Sequence, residues 1–323
     1  MPESRPSSHL RATVCIPTRN RRALLLHTLE TLDRQTLPAK DFDVIVADDG
    51  STDGTLEALD SLKTGYRLSV VQSGGRGSAA GRNAAATSAA AEVLVFLDDD
   101  QLASPQLLEA HMVAQSGNGA VLVQGFSPMV DPSPRSGTSM VYERSLRSTI
   151  GKPAPDLAHG GGLWGLNVSV PRQTWADVGG YDESLQRSQD LDFGLRVVAS
   201  GVPFVFEPSA LTRHVHAISI RSFRRQHFEE GRSLVRIASK HGRSIESLLG
   251  GRVDRPFDRV LGFAWRRSAR AADAFGGVVG AGLQGADRLG YAPAQLALAR
   301  LLRRCYEIGG ITVESAAGPA RRG

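Results

Sequence analysis

Four apolar runs in the first hundred residues, each stopped by a polar or acidic cluster and separated by amphipathic segments, restrict this chain more than any other feature. "ATVCIPT" (12–18), "FDVIVADDG" (42–50), "RLSVVQS" (67–73) and "EVLVFL" (92–97) have the length and composition of buried strands. After the first run, Leu25, Leu29 and Leu32 fall at i, i+4 and i+7, and Leu56, Leu59 and Leu62 follow the second, each set marking one face of a helix. An alanine-rich helix is expected around 79–91. Strand alternating with helix builds an α/β fold, a mostly parallel sheet with helices on both faces. Ligands of such sheets bind beyond the carboxyl ends of the strands.

Three polar clusters are therefore expected on one rim: "PTRN" (17–20), "DDGSTDGT" (48–55) and "DDDQ" (98–101). A turn and a helix cap would account for the second taken alone, since Ser51, Thr52 and Asp53 are good cap residues. Three clusters together ask for more. Consecutive carboxylates repel one another in water unless they hold a cation. Asp98 and Asp100, at i and i+2, offer hard oxygens to Mg2+ or Mn2+, which takes the rest of its shell from water and substrate phosphates.

The 323 residues suffice for one large or two ordinary domains. Cys15 and Cys305 are the only cysteines, and the start has no leader pattern, so a reducing cytoplasm without a disulfide framework is expected. No apolar run reaches the length of a membrane span; "AADAFGGVVGAGLQGA" (271–286) is broken by Asp273 and Gln284. The net charge of +5 is uneven, with 20 Lys/Arg against 9 Asp/Glu from Arg213 onward and a net −6 before it. The stretch 219–243 reads as a basic helix, either a solvated face or a screen for a diphosphate or an anionic surface. Residues 258–310 are helical in pattern, with Pro293 opening one helix. A homodimer contact, a peripheral membrane helix at the inner face of the membrane and a lid are the readings open for them.

In order and at sensible spacing, "VCIPTRNR", "LLHTLETLDRQT", "FDVIVADDGSTDGT", "GGRGSAAGRNAAA", "EVLVFLDDDQ", "GGYDESLQRSQDLDFGLRV" and "HVH" resemble the family 2 glycosyltransferases over roughly residues 11–216. The resemblance implies the GT-A fold, a Rossmann-like nucleotide-binding sheet with an acceptor-side half, and an inverting enzyme using a nucleotide diphosphate sugar. It implies that Pro17, Thr18 and Arg19 line the nucleotide pocket, that Asp48 contacts the base, and that Arg82, Asp98 and Asp99 lie at the donor. Asp100 would bind Mn2+ or Mg2+, as in a DXD motif. Domain limits expected on this basis are a disordered start (1–10), a nucleotide-sugar-binding half (11–101), an acceptor-binding and catalytic half (102–218), a basic helical region (219–314) and a disordered tail (315–323).

The stretch from 160 to 201 resembles the family's acceptor loop and catalytic helix, where members usually read Glu-Asp and this chain reads Gln189-Asp190. Asp190 keeps the place of the base, on a helix whose Leu191, Leu195 and Val198 make the expected buried stripe and which Gly201 ends. Asp190 and Asp192 would also suit the first turn through the helix dipole alone. Among weaker features, Trp164 would stack on an acceptor or pack in the core, and Asn167 matches an asparagine common in that loop. His214 and His216 lie at strand spacing as candidates for a metal ligand, with His214 preferred. No Gln-x-x-Arg-Trp element of the polymerising members occurs, which points to non-processive transfer to a glycan, lipid-linked or small-molecule acceptor, with no nucleic-acid partner. The alternatives are a nucleotidyltransferase, disfavoured because "IPTRNRRALLL" has no glycine to cradle a triphosphate, and an inactive sugar-binding module, favoured only by Gln189.

Overall fold

The computed structural model of the chain describes residues 10–117, 119–130, 135–147, 163–215, 218–249 and 256–318. They fall into two compact units, one of residues up to Pro128 with Leu163–Ser184 and Gln189–Val215, the other of Met129–Gly162, Leu185–Ser188 and everything from His216. The expected disorder at 1–10 and 315–323 concerns residues that, apart from Leu10 and 315–318, lie outside those described.

The first unit is the α/β body. Its elements run β1 (Ala12–Thr18), α1 (Arg22–Leu32), β2 (Phe42–Asp48), α2 (Thr55–Ser61), β3 (Arg67–Gln72), α3 (Ser78–Ser88), β4 (Val93–Leu97), β5 (Gln101–Ala103), α4 (Leu107–Gln115) and β6 (Leu122–Phe126). After α5 (Gly137–Arg147), which belongs to the second unit, come β7 (Asn167–Pro171), α6 (Arg172–Asp177), α7 (Gln189–Ala199) and β8 (Phe204–His214). The strands lie in the order β3-β2-β1-β4-β7-β6-β8-β5. β3, β2, β1 and β4 are parallel, as the strand-helix rhythm requires, whereas β7 runs antiparallel to β4 and β6, and β5 antiparallel to β8. The sheet is parallel where helical crossovers connect its strands, and mixed beyond β4.

Alternation along the strands divides the core between two faces. Ala12, Val14 and Ile16 of β1 join Leu25, Leu29 and Leu32 of α1, Leu59 of α2 and Leu107 and Leu108 of α4. Of the stripe expected on α2 only Leu59 is fully buried, and Leu56 is exposed. On the opposite face α3 lies so close to β1 that a Cβ on Gly81 would come within 2.9 Å of the Pro17 Cβ. α7 buries Leu191 and Leu195 as expected, but with Phe193 and Val197 rather than Val198, because several sides of this helix are covered.

In the register, the last residues of β1 and β2, Thr18 and Asp48, stand opposite each other, Leu97 opposite Asn167, and Gln101 opposite His214. The loops after β1, β2 and β4 thus begin side by side.

The second unit is helical: α5, α8 (Ile220–Lys240), α9 (Ile245–Leu248), α10 (Pro256–Arg267), α11 (Ala269–Leu289) and α12 (Ala292–Ala317). The segment expected to be helical from 258 to 310 is broken twice: Ser268 caps α11 by accepting from the Ala271 N–H, and Gly290 ends it at φ 64°. Trp265, Leu283, Leu302 and Tyr306 centre its core. α8 and α12 cross at glycines, where a Cβ on Gly231 would lie 2.1 Å from the Glu307 carbonyl oxygen and one on Gly310 2.0 Å from that of Phe228.

Two outcomes are expected. Gly310→Ala forces α8 and α12 apart and should cost about 1–3 kcal/mol, read as a lowered urea midpoint. In the first unit, His111 is fully buried between Asn167 and Ser169, and burial pushes its imidazole down to about 4 from 6.5. Its neutral form is the folded one, so stability is complete above pH 6.5 and is lost as pH falls towards 4. Between pH 7 and 5 this amounts to about 2 kcal/mol, and His111→Gln should abolish that part of the pH dependence in urea titrations.

Candidate functional site

The rim at the ends of β1, β2 and β4 is held together by hydrogen bonds between its loops. Asn20, one of two described non-glycine residues with left-handed backbone (φ 52°), donates its N–H to Ser51 Oγ and accepts from the Thr52 N–H at 2.7 Å. Asp53 accepts from the Arg22 N–H, while the cap position of α2 is taken by Gly54 at φ 80°. Ser51, Thr52 and Asp53 therefore fasten the β2 loop to the β1 loop, and none of them occupies the cap position. The second such residue, Ser188 (φ 56°), immediately precedes Gln189 and Asp190.

Asp48 is fully buried. Its Oδ2 accepts from the N–H groups of Gly50 and Ser51, both at 3.1 Å, and its Oδ1 has no hydrogen-bond partner among the described residues. A buried acceptor left open in this way is costly unless a ligand completes it. Asp49 accepts from Ser73 Oγ and the Gly77 N–H and so braces the loop before α3.

Each acid of the triplet meets an arginine, Arg82 at Asp98 and Arg21 shared between Asp99 and Asp100. Asp98 pairs with Arg82, whose guanidinium is buried over the Tyr181 ring and whose Nε has no described partner. Asp99 takes Arg21 at 2.9 Å and the Thr18 hydroxyl at 2.8 Å, and its own carbonyl accepts from Thr28 of α1. Burial pushes the Asp99 carboxyl up to about 7, with Asp100 and Asp98 adding to the rise and Arg21 and Thr18 opposing it. Burial acts in the same sense on Asp100, but there His214 and Arg21 outweigh it and hold the carboxyl well below the usual carboxylate range. His214 Nε2 stands 3.3 Å from Asp100 Oδ2, on the strand paired with β5. Gln101, anchored by Thr212, donates to Asp100 Oδ1.

Asp190 joins this set through the Trp164–Gly165 turn. Its Oδ2 accepts from the Gly165 N–H at 2.8 Å, and the Gly165 carbonyl lies 3.5 Å from Arg82 Nη2. A Cβ on Gly165 would meet that of Asp190 at 2.8 Å, which explains the glycine. Gln189 donates to Ser78 Oγ at the start of α3, and Asp192 pairs with Arg196 one turn on.

Thr18, Asp48, Arg82, Asp98, Asp99, Asp100, His214 and Asp190 thus occupy one connected rim, with Pro17 beneath α3. Arg19 sits at its edge, more than half exposed and 3.6 Å from Asp49. Trp164 is half-buried, its N–H bonded to Gln124. Asn167 stands apart, buried in the sheet with its amide shared between the Ala210 carbonyl and His111. His216 lies outside the described residues. Arg21 is the rim residue that the sequence does not mark: nothing local separates it from Arg19 and Arg22, and only the left-handed turn at Asn20 brings it onto the triplet.

Among the described residues no three His, Cys, Asp or Glu side chains form a metal cage. Asp100 and His214 are a converging pair, and a pair fits an ion that takes its other ligands from phosphate and water.

Residues 13–162 match the model of glycosyl transferase family 2. A validoxylamine A glucosyltransferase of Streptomyces hygroscopicus is 35% identical over 221 residues, covering 59% of this chain and 52% of the relative. The glycosyltransferase AglE of Haloferax volcanii is 28% identical over 204 residues, covering 62% of this chain and 66% of the relative. The chain spans about half the length of the Streptomyces relatives it matches. In fold it is similar to the mannosyltransferase PcManGT of Pyrobaculum calidifontis, solved with GDP-Man and Mn2+ (TM-score 0.65, 19% identity, 97% of this chain and 89% of that one). It is also similar to TarS of S. aureus, residues 1–349 (TM-score 0.55, 20% identity, 97% and 93%). With its rim built at the strand ends of a GT-A sheet, the chain matches glycosyl transferase family 2 over residues 13–162.

Proposed function

We propose that this chain transfers a single hexosyl group from a nucleotide diphosphate sugar to an acceptor hydroxyl, with inversion at the anomeric carbon and with the help of a divalent cation. The observation that carries the reading is the rim itself: an open buried acceptor on Asp48, an ion-holding pair in Asp100 and His214, and Asp190 tied to the same network through Gly165 and Arg82.

Asp48 Oδ1 suits an N–H of the nucleotide base, and Pro17, Thr18 and Arg19 frame that end. Asp98 and Asp99 face the ribose and sugar, and the unpaired Arg82 Nε is a spare donor for the same molecule. Mn2+ or Mg2+, held by Asp100 and His214 when bound, supplies charge stabilisation for the diphosphate leaving group. Asp190 accepts the proton of the acceptor hydroxyl as its oxygen bonds to the anomeric carbon and the bond to the diphosphate oxygen breaks. A base so placed contributes about 10²- to 10⁴-fold. Trp164, half-buried beside Gly165, is the surface for an acceptor ring. That a relative is a validoxylamine A glucosyltransferase favours glucose and a small-molecule acceptor. Gln189 does not mark a dismantled site, since its amide is bonded to Ser78 and the carboxylate of Asp190 is retained.

Purified protein incubated with a panel of nucleotide sugars and Mn2+ should release free nucleoside diphosphate from its own donor; no release from any donor overturns the assignment. Asp100→Ala should weaken Mn2+-supported binding of nucleoside diphosphate at least about tenfold by calorimetry, since even outer-shell partners are worth that much. Asp190→Asn should keep donor affinity and lose at least about 10²-fold in turnover, because it removes an interaction made in the transition state. The product linkage, read by the proton NMR anomeric coupling, should be opposite to that of the donor, and retention would exclude Asp190 as the base of a single displacement.

A further inference from the structure

The helical unit presents a face that its own core does not use. On α10, Phe257, Val260 and Phe263 recur every third residue and point outward, with Phe263 63% exposed. On α11, Phe275, Val278 and Leu289 lie along one outward stripe, Val278 71% and Leu289 83% exposed. The opposite sides of the same helices carry Leu261, Trp265, Val279 and Leu283 into the core, so both helices are apolar on two sides. Exposed aromatic and aliphatic side chains at this density mark an interaction surface.

The charges on these helices are sorted with equal clarity. Every acid among their described residues is engaged within the unit. Asp258 is buried against Arg304, Asp273 bonds Arg224 and Tyr306, and Asp287 accepts from the Gly137 N–H and Gln295. Arg266, Arg267, Arg270 and Arg288 are exposed beside the apolar stripes. Apolar rows bordered by arginine, with the acids bonded to partners within the unit, match an anionic lipid surface, where side chains enter the headgroup boundary and guanidiniums meet phosphates. A second copy meeting this face across a twofold axis would set arginine against arginine, with the acids of both helices already bonded within the unit. No helix among the described residues is long and apolar enough to cross a membrane, so the contact is one of lying on the surface.

We propose that the outward face of α10 and α11 docks on an anionic lipid surface, through Phe263, Val278 and Leu289 and the arginines beside them. The inference depends on no assumption about the sugar-transfer reaction. The full chain should sediment with vesicles of phosphatidylcholine containing phosphatidylglycerol and remain in solution with phosphatidylcholine alone, and added salt should release it. The double variant Phe263→Asp/Val278→Asp, changed only at exposed positions, should lose at least about tenfold in vesicle partition. Arg266→Gln/Arg267→Gln, which leaves the apolar side chains in place, should lose about as much through the headgroup charges. Thermal melts confirm that both variants are folded. The proposal is overturned if the wild type ignores anionic vesicles or if both variants bind as the wild type does. It is also overturned if sedimentation velocity finds a dimer that the double variant dissolves, which would assign the face to a second copy.

Discussion

Three adjacent carboxylates at the end of β4 are the demand around which the rest of the rim is arranged. Two unit charges about 4 Å apart near a protein surface interact by about 4 kcal/mol, and Asp99 and Asp100 are both nearly excluded from water. Such a group folds only if cations reach it. Arg21 comes from the loop after β1 and Arg82 from α3, and the imidazole of His214 joins them from β8. Arg21 and His214 lie far from the triplet in sequence, so the acids serve as an anchor that brings loop, helix and distant strand to one place. The balance differs along the triplet, since burial dominates at Asp99 and raises it to about 7, while His214 and Arg21 outweigh burial at Asp100 and hold it below the usual carboxylate range.

The loops that carry these cations are themselves immobilised by small polar residues. Asn20 holds a strained left-handed backbone, which persists where the surroundings over-determine it. Here the bonds to Ser51 and Thr52 do so, with Asp53 fixing the next residue but one. The consequence for Arg21 is direct, because its direction is set by the residue before it. The glycine loop before α3 is tied to Asp49 in the same way, and α3 brings Arg82. The site is therefore pre-formed by its loops, and among the described residues the open acceptor on Asp48 and the open Nε donor of Arg82 are left inside it.

What could be read from the sequence follows the range of the forces involved. Strands β1, β2 and β4 and the rim they share were legible because a buried parallel strand is apolar throughout and its terminating polar residues are adjacent in sequence, whereas β3 is an edge strand that stays partly exposed. The pairing of β7 against β4 and of β5 against β8, which places His214 beside Asp100, depends on contacts between segments far apart in sequence and has no local signature. Arg21 was hidden for the same reason among three neighbouring arginines. Asn167 illustrates the converse: it lies in the expected loop, but the sheet register turns it to His111 and Ala210. The α8–α12 crossing was illegible because Gly231 and Gly310 act by what they lack, and a helix glycine looks from sequence alone like an interruption.

Gln189, where the family usually carries a glutamate, keeps its packing and its hydrogen bond beside Asp190. The first turn of α7 carries Asp190 and Asp192, and a third acid at 189 would add repulsion to a buried position in exchange for the favourable helix dipole. As glutamine, the residue is still buried and still bonded to Ser78, with the amide as donor and the hydroxyl as acceptor. A carboxylate there would reverse that bond, since an ionised acid can only accept. The contact between α7 and the start of α3 therefore survives the exchange. Asp190 keeps both of its backbone donors, Gly165 and Leu191. What this sequence gives up is one negative charge at the helix start, and what it retains is the carboxylate whose position the Trp164–Gly165 turn fixes.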